Sequence, residues 1–96
     1  MDHYARLSEK RNEILALAAR YGIRNIRIFG SVARHEAHEK SDIDFLVEFP
    51  QEATLFDHAG FQQDLADLLG CNVDVASVNG LKERIRDTVL QEAVPL

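Results

Sequence analysis

One cysteine, Cys71, is all the thiol this chain has. That excludes an internal disulfide and a multi-cysteine zinc site and suits a reducing interior, with Cys71 read as a small residue at the entry to a strand. Long hydrophobic runs are missing too. No stretch approaches the roughly 20 apolar residues of a membrane span, and Met1-Asp2-His3-Tyr4-Ala5-Arg6 lacks the apolar segment of a signal peptide. The expectation is a soluble, cytoplasmic protein with no membrane partner. Positive charge is in the minority, 11 Lys+Arg against 16 Asp+Glu for a net charge of −5, a field that repels nucleic acid, so no direct nucleic-acid partner is expected. Three motifs are absent: the G-x-x-x-x-G-K-[ST] phosphate loop, a G-x-G-x-x-G after the first strand, and H-E-x-x-H. His35-Glu36-Ala37-His38 is one residue short of the last and reads as a solvated helix face, while His3 and His58 stand alone.

What is present fits one α/β domain over residues 1–96. The chain is 46% hydrophobic, and at this size folding buries roughly 60–65% of the unfolded chain's surface. No repeat, low-complexity tract or linker divides it. Tyr4, Leu7, Ile14, Leu15, Ala18 and Tyr21 recur at helical spacing, with Gly22 as the stop. Ile23 to Phe29 reads as a strand with Ile26 and Ile28 on one face. Ser31 to about Glu39 predicts a two-turn helix capped by Ser31, with a turn at Ser41. Asp42 to Phe49 alternates strictly: Ile43, Phe45, Val47 and Phe49 on the core side, and Asp42, Asp44, Leu46 and Glu48 on the other. Pro50 ends that strand. A helix follows from Leu55 to Leu69 on Phe61, Leu65, Leu68 and Leu69, stopping at Gly70. Asn72 to Ser77 is a short strand with Val73 and Val75 facing inward, and Leu81, Ile85 and Val89 mark a last helix fraying toward Pro95. The order is α-β-α-β-α-β-α.

Two motifs carry chemistry. Gly30-Ser31 leaves the first strand: a glycine there lets the backbone approach a ligand, free N–H groups at a helix start attract an anion, and the serine hydroxyl adds a donor. Taken alone, Gly-Ser is more often an ordinary strand-to-helix turn. Arg34, one helical turn on, could reach phosphate or brace a carboxylate. The second motif is Asp42-x-Asp44, whose aspartates share one strand face about 6.5–7 Å apart at Cα. Asp74, on the following strand, completes a trio if the sheet brings it alongside. Taken alone, Asp-x-Asp is commonly a solvated face. Here the strand is otherwise apolar, and crowding acids on it is costly unless cations neutralise them. Hard oxygen ligands suit magnesium, which leaves positions for water and phosphate. Together the motifs point to a metal–nucleotide site. Without metal, at least one of the three acids should hold its proton above the usual range.

Gly30-Ser31, ten intervening residues, Asp42-x-Asp44 and then Asp74 resemble the polymerase-β-like nucleotidyltransferase superfamily. The chain's size, the segments Arg27 to Arg34 and Ser41 to Val47, and the close from Ile85-Arg86-Asp87 through Glu92-Ala93-Val94-Pro95-Leu96 are similar to the minimal nucleotidyltransferase (MNT) antitoxins. The resemblance implies a small mixed β-sheet with flanking helices and pairing with a HEPN-domain ribonuclease toxin, alone or as part of a homodimer or hetero-oligomer. It implies AMP transfer from ATP to a hydroxyl, such as a toxin tyrosine. It also implies that Asp42, Asp44 and Asp74 are the catalytic, metal-binding acids for two Mg²⁺ ions, with Gly30, Ser31 and Arg34 at the nucleotide. One departure is His35, where a glycine commonly follows the Ala-Arg pair. Two alternatives stand beside this: an antitoxin acting by contact alone, and a small-molecule nucleotidyltransferase. The second fits less well, since a chain this short has no structure to spare for an acceptor and favours a macromolecule that supplies the missing wall.

Overall fold

The computed structural model describes residues 3–34 and 42–96. Helix α1 spans His3–Arg20, strand β1 Arg24–Phe29, helix α2 Gly30–Ala33, β2 Ile43–Glu48, α3 Leu55–Leu69, β3 Val73–Ser77, α4 Glu83–Glu92 and β4 Val94–Pro95. The expected helical residues beyond Arg34, with His35, His38 and Ser41, lie outside the described residues. The sheet runs β3-β2-β1-β4. Strands β1 and β2 are antiparallel, β2 and β3 parallel, and β1 and β4 antiparallel, so the expected small mixed sheet with flanking helices is what forms.

Local sequence sets the ends of the elements. After α1, the Gly22 N–H donates to the Ala19 carbonyl and the Ile23 N–H to the Ala18 carbonyl. This paired closure needs a left-handed residue, and Gly22 supplies it at φ +70°. Helix α3 opens on a reciprocal cap: the Asp57 N–H donates to the Thr54 hydroxyl, and the Thr54 N–H to the Asp57 carboxylate. It closes on Gly70, whose N–H donates to the Ala66 carbonyl.

The core lies on one sheet face. Register aligns Ile28 with Phe45 and Phe45 with Val75, and Ile43 with Val73. These side chains pack against Leu7, Ile14, Leu17 and Ala18 of α1 and Phe61, Leu65 and Leu69 of α3. Three expectations are corrected. Leu15 points outward, and Leu17 takes the inward place on a buried stripe of His3, Leu7, Ile14, Leu17 and Ala18. Ser31 is no cap: the helix begins at Gly30, and the cap residue is Phe29, which makes no side-chain bond. The tail does not simply fray, since Val94 and Pro95 form an edge strand on β1 and the Leu96 N–H donates to the Ile26 carbonyl.

Phe61 is fully buried, with Tyr21 and Phe49 packed edge-on at ring-centroid distances of 5.5 and 6.2 Å. It joins both helices to the sheet. Phe61→Ala should cost about 3–5 kcal/mol, read as a lowered urea midpoint, by removing both ring contacts and leaving a cavity.

Candidate active site

The alternation that sends Ile43, Phe45 and Val47 into the core puts Asp44 on the opposite face. There the register sets Phe29 of β1, Asp44 of β2 and Asp74 of β3 in one row across three strands. Asp42 sits two residues before Asp44, just ahead of the strand and exposed. Asp44 is half-buried and Asp74 exposed. Two strands distant in sequence thus bring three carboxylates to one end of one face. Among the described residues, no three carboxylate, imidazole or thiolate side chains close around a single point that could hold an ion; carboxylates this near one another gain by standing apart.

The charge of that corner is written on Asp44. Its carboxyl is held above the usual aspartate range, first by burial and then by the charges of Asp74 and Asp42, with Arg34 opposing them. Crowding by the other two acids contributes to the rise, but burial is its larger cause.

Gly30 follows Phe29 and adopts φ +73°. A side chain is excluded there twice over, by that left-handed backbone and by the Asp44 carboxylate, whose Oδ2 a Cβ would strike. The phosphate-turn motif and the Asp-x-Asp motif are therefore in contact. Ser31 is half-buried as the second residue of α2, and Val32 behind it is buried in the core, which fixes the turn.

Arg34 ends that turn and pairs with Glu92 of α4 through Nη1 at 3.5 Å. Of its two expected roles, bracing a carboxylate is the one seen. Both side chains are about half exposed, 45% and 46%, and such pairs are worth about 0–1 kcal/mol. The guanidinium is thus easily drawn to another anion. Glu92 was missed in the sequence because nothing local links positions 58 residues apart. The donors at this corner are carboxylate oxygens, a hydroxyl and backbone amides. That set matches a hard cation and a phosphate chain, and it contains no soft ligand.

Comparison with known proteins gives the same family. The model of the nucleotidyltransferase domain matches residues 10–96. The protein adenylyltransferase MntA of Thermococcus cleftensis is 42% identical over 78 residues, 81% of this chain and 79% of that protein. A solved structure described as a "putative minimal nucleotidyltransferase" superposes with a TM-score of 0.89 at 49% identity, covering 100% of this chain and 97% of that one. A chain from the solved complex of a tri-AMPylated Shewanella oneidensis HEPN toxin with an MNT antitoxin gives a TM-score of 0.70 over 92% of this chain and 69% of that chain, at 20% identity, a likeness of fold. No helix among the described residues is long and apolar enough to cross a membrane. With the motifs, the sheet order and these matches in agreement, the chain belongs to the nucleotidyltransferase-domain family and is a minimal nucleotidyltransferase.

Proposed function

We propose that this protein transfers AMP from ATP to a hydroxyl of a partner HEPN-domain toxin, a tyrosine as the family resemblance implies, and that it acts in this way as an antitoxin. The observation that carries the reading is the row Asp44–Asp74, with Asp42 beside it, against the left-handed Gly30. The adenylyltransferase relative and the fold shared with an antitoxin bound to an AMP-bearing toxin support the partner and the transferred group.

The chemistry asked of each residue follows from its place. Asp42, Asp44 and Asp74 would hold two magnesium ions, which supply charge neutralisation at the triphosphate and a more acidic acceptor hydroxyl. A carboxyl raised by burial and by the charges of two neighbouring acids, as Asp44 is, fits such a ligand. The Gly30 backbone lies close enough to Asp44 to bring phosphate oxygens beside it, and the Ser31 hydroxyl donates to them. Arg34, once released from Glu92, adds charge at the same chain. Asp74 lies on the outer strand with an exposed carboxylate, where an incoming hydroxyl can give up its proton. The hydroxyl oxygen then bonds the α-phosphorus as the bond to the β-phosphate oxygen breaks, so the products are the AMP ester and pyrophosphate.

Incubation with the HEPN partner, α-labelled ATP and Mg²⁺ should label the partner, with the adduct located by mass spectrometry. Asp44→Asn should lower that rate on the order of a hundredfold or more while the fold persists. Labelling at the wild-type rate would refute the assignment, and equal neutralisation of the toxin by the variant would favour action by contact alone. Gly30→Ala should also impair transfer, because its Cβ must displace the Asp44 carboxylate.

The same acid predicts a stability change of opposite sign. Unfolded, Asp44 ionises near its ordinary value of 3.8; folded, it ionises higher. Without metal, stability therefore falls as pH rises through the interval between the two values, and the loss persists at neutral pH. Metal-free Asp44→Asn should melt above the wild type at pH 7, with the gap closing below pH 3.8. Added Mg²⁺ should raise the melting temperature of the wild type more than that of the variant.

A further inference from the structure

Asp74 belongs to β3, which is an outer strand with β2 on one side only. In a parallel pair the N–H and C=O of alternate residues point toward the neighbour and those between point away. Val75 points away. Its N–H donates to the Gln62 Oε1 at 3.1 Å, and its carbonyl accepts from the His58 Nε2 at 2.7 Å. Because a carbonyl oxygen only accepts, His58 must carry its proton on Nε2. His58 and Gln62 lie four apart on α3, one helical turn, so a single helix face grips both polar groups of one residue. The imidazole is itself held: it stacks on Phe49 with ring centroids 5.0 Å apart and an interplanar angle of 23°, and Phe49 meets Phe61 edge-on.

The Val75 N–H belongs to the peptide linking Asp74 to Val75. Fixing that peptide plane fixes the backbone torsion on the C-terminal side of the Asp74 Cα, and hence the direction in which its carboxylate leaves the sheet. An outer strand lacks the second neighbour that would otherwise hold it. We infer that His58 and Gln62 are positioning residues that hold Asp74 in line with Asp44 by clamping the Val75 peptide groups from α3. The inference rests on the function proposed above and assigns a role to His58, which the sequence leaves standing alone. Gln62 holds the peptide next to the Asp74 Cα, and His58 holds the following one, so that Val75 is fixed on both sides and cannot carry the Asp74 peptide with it.

The alternative is that the two bonds only close a sheet edge, in which case removing them lowers stability and nothing else. The test separates these. His58→Phe keeps a ring on Phe49 and removes the donor; Gln62→Met keeps the length and removes the acceptor. His58→Gln and Gln62→Glu restore a donor and an acceptor at similar reach. For transfer to the HEPN partner with Mg²⁺ and ATP, corrected for folded fraction, His58→Phe and Gln62→Met should each lower kcat about tenfold with KM for ATP within about twofold, and weaken Mg²⁺ affinity in calorimetric titration by a similar factor. The restoring variants should recover most of both. A lowered melting temperature with kcat and Mg²⁺ affinity unchanged would overturn the inference, as would failure of both restoring variants to recover either quantity. If the wild type binds Mg²⁺ and transfers nothing, the proposed function falls while the calorimetric comparison still decides the clamp.

Discussion

The parallel register of β2 and β3 is the constraint on which the rest depends, because it sets Asp44 beside Asp74 and gives neither a way to leave. The residues before and after them on the two strands are paired in the core, Ile43 with Val73 and Phe45 with Val75, all buried. Like charges on strands about 5 Å apart repel by about 3 kcal/mol at an effective dielectric of 20. Splaying the strands to relieve that would expose four side chains worth about 1.5–3 kcal/mol each. The core wins, so the strands stay paired, and the repulsion from Asp74 and Asp42 adds to burial in raising the Asp44 carboxyl. A slip of one residue would move the acids into the core and the valines out, and for that reason the register is rigidly specified.

Much of this was legible because short-range rules govern it. The period of two from Asp42 to Phe49 gave both faces of β2, and the observed pattern differs mainly at Leu46, buried on the acid face between Arg27 and Ala76 of the neighbouring strands. The extent of α3, Leu55 to Leu69, follows from its apolar period and from Gly70, with Thr54 and Asp57 forming the cap that fixes its start. What stayed hidden depends on tertiary pairing. Val94 and Pro95 become a strand only because β1 has a free edge, and no two-residue segment announces that. Ser31 carries the composition of a cap, but Gly30 can enter the helix left-handed and takes the first position. His58 looked isolated because its partner is a backbone carbonyl, which leaves no trace in side-chain spacing. The pairing of His58 with Gln62 at one helical turn was the available signal, and it needed the sheet order to mean anything.

Placing the core on one face also explains why the other can carry chemistry. Helices α1 and α3, with Val32 of α2, supply the helical share of the core, while α4 has no buried residue and leaves Ile85 43% exposed. A chain of 96 residues spends its apolar side chains on closing one face of a four-stranded sheet. On the other face Asp42 and Asp74 stay exposed and Asp44 half-buried.

The two sheet edges limit how another chain could approach. On the β3 side, α3 occupies the outward N–H and C=O of Val75 with side chains. On the other side, β4 is two residues long, and Pro95 has no N–H to offer. Added-strand recognition needs a run of free backbone groups on an edge strand. The outward groups of one are already taken at Val75, and the other is too short to offer such a run. Contact through side chains is left as the route, at the exposed acids or along the exposed stripe of α4, whose last turn reaches the Gly30-Ser31 turn through Glu92 and Arg34.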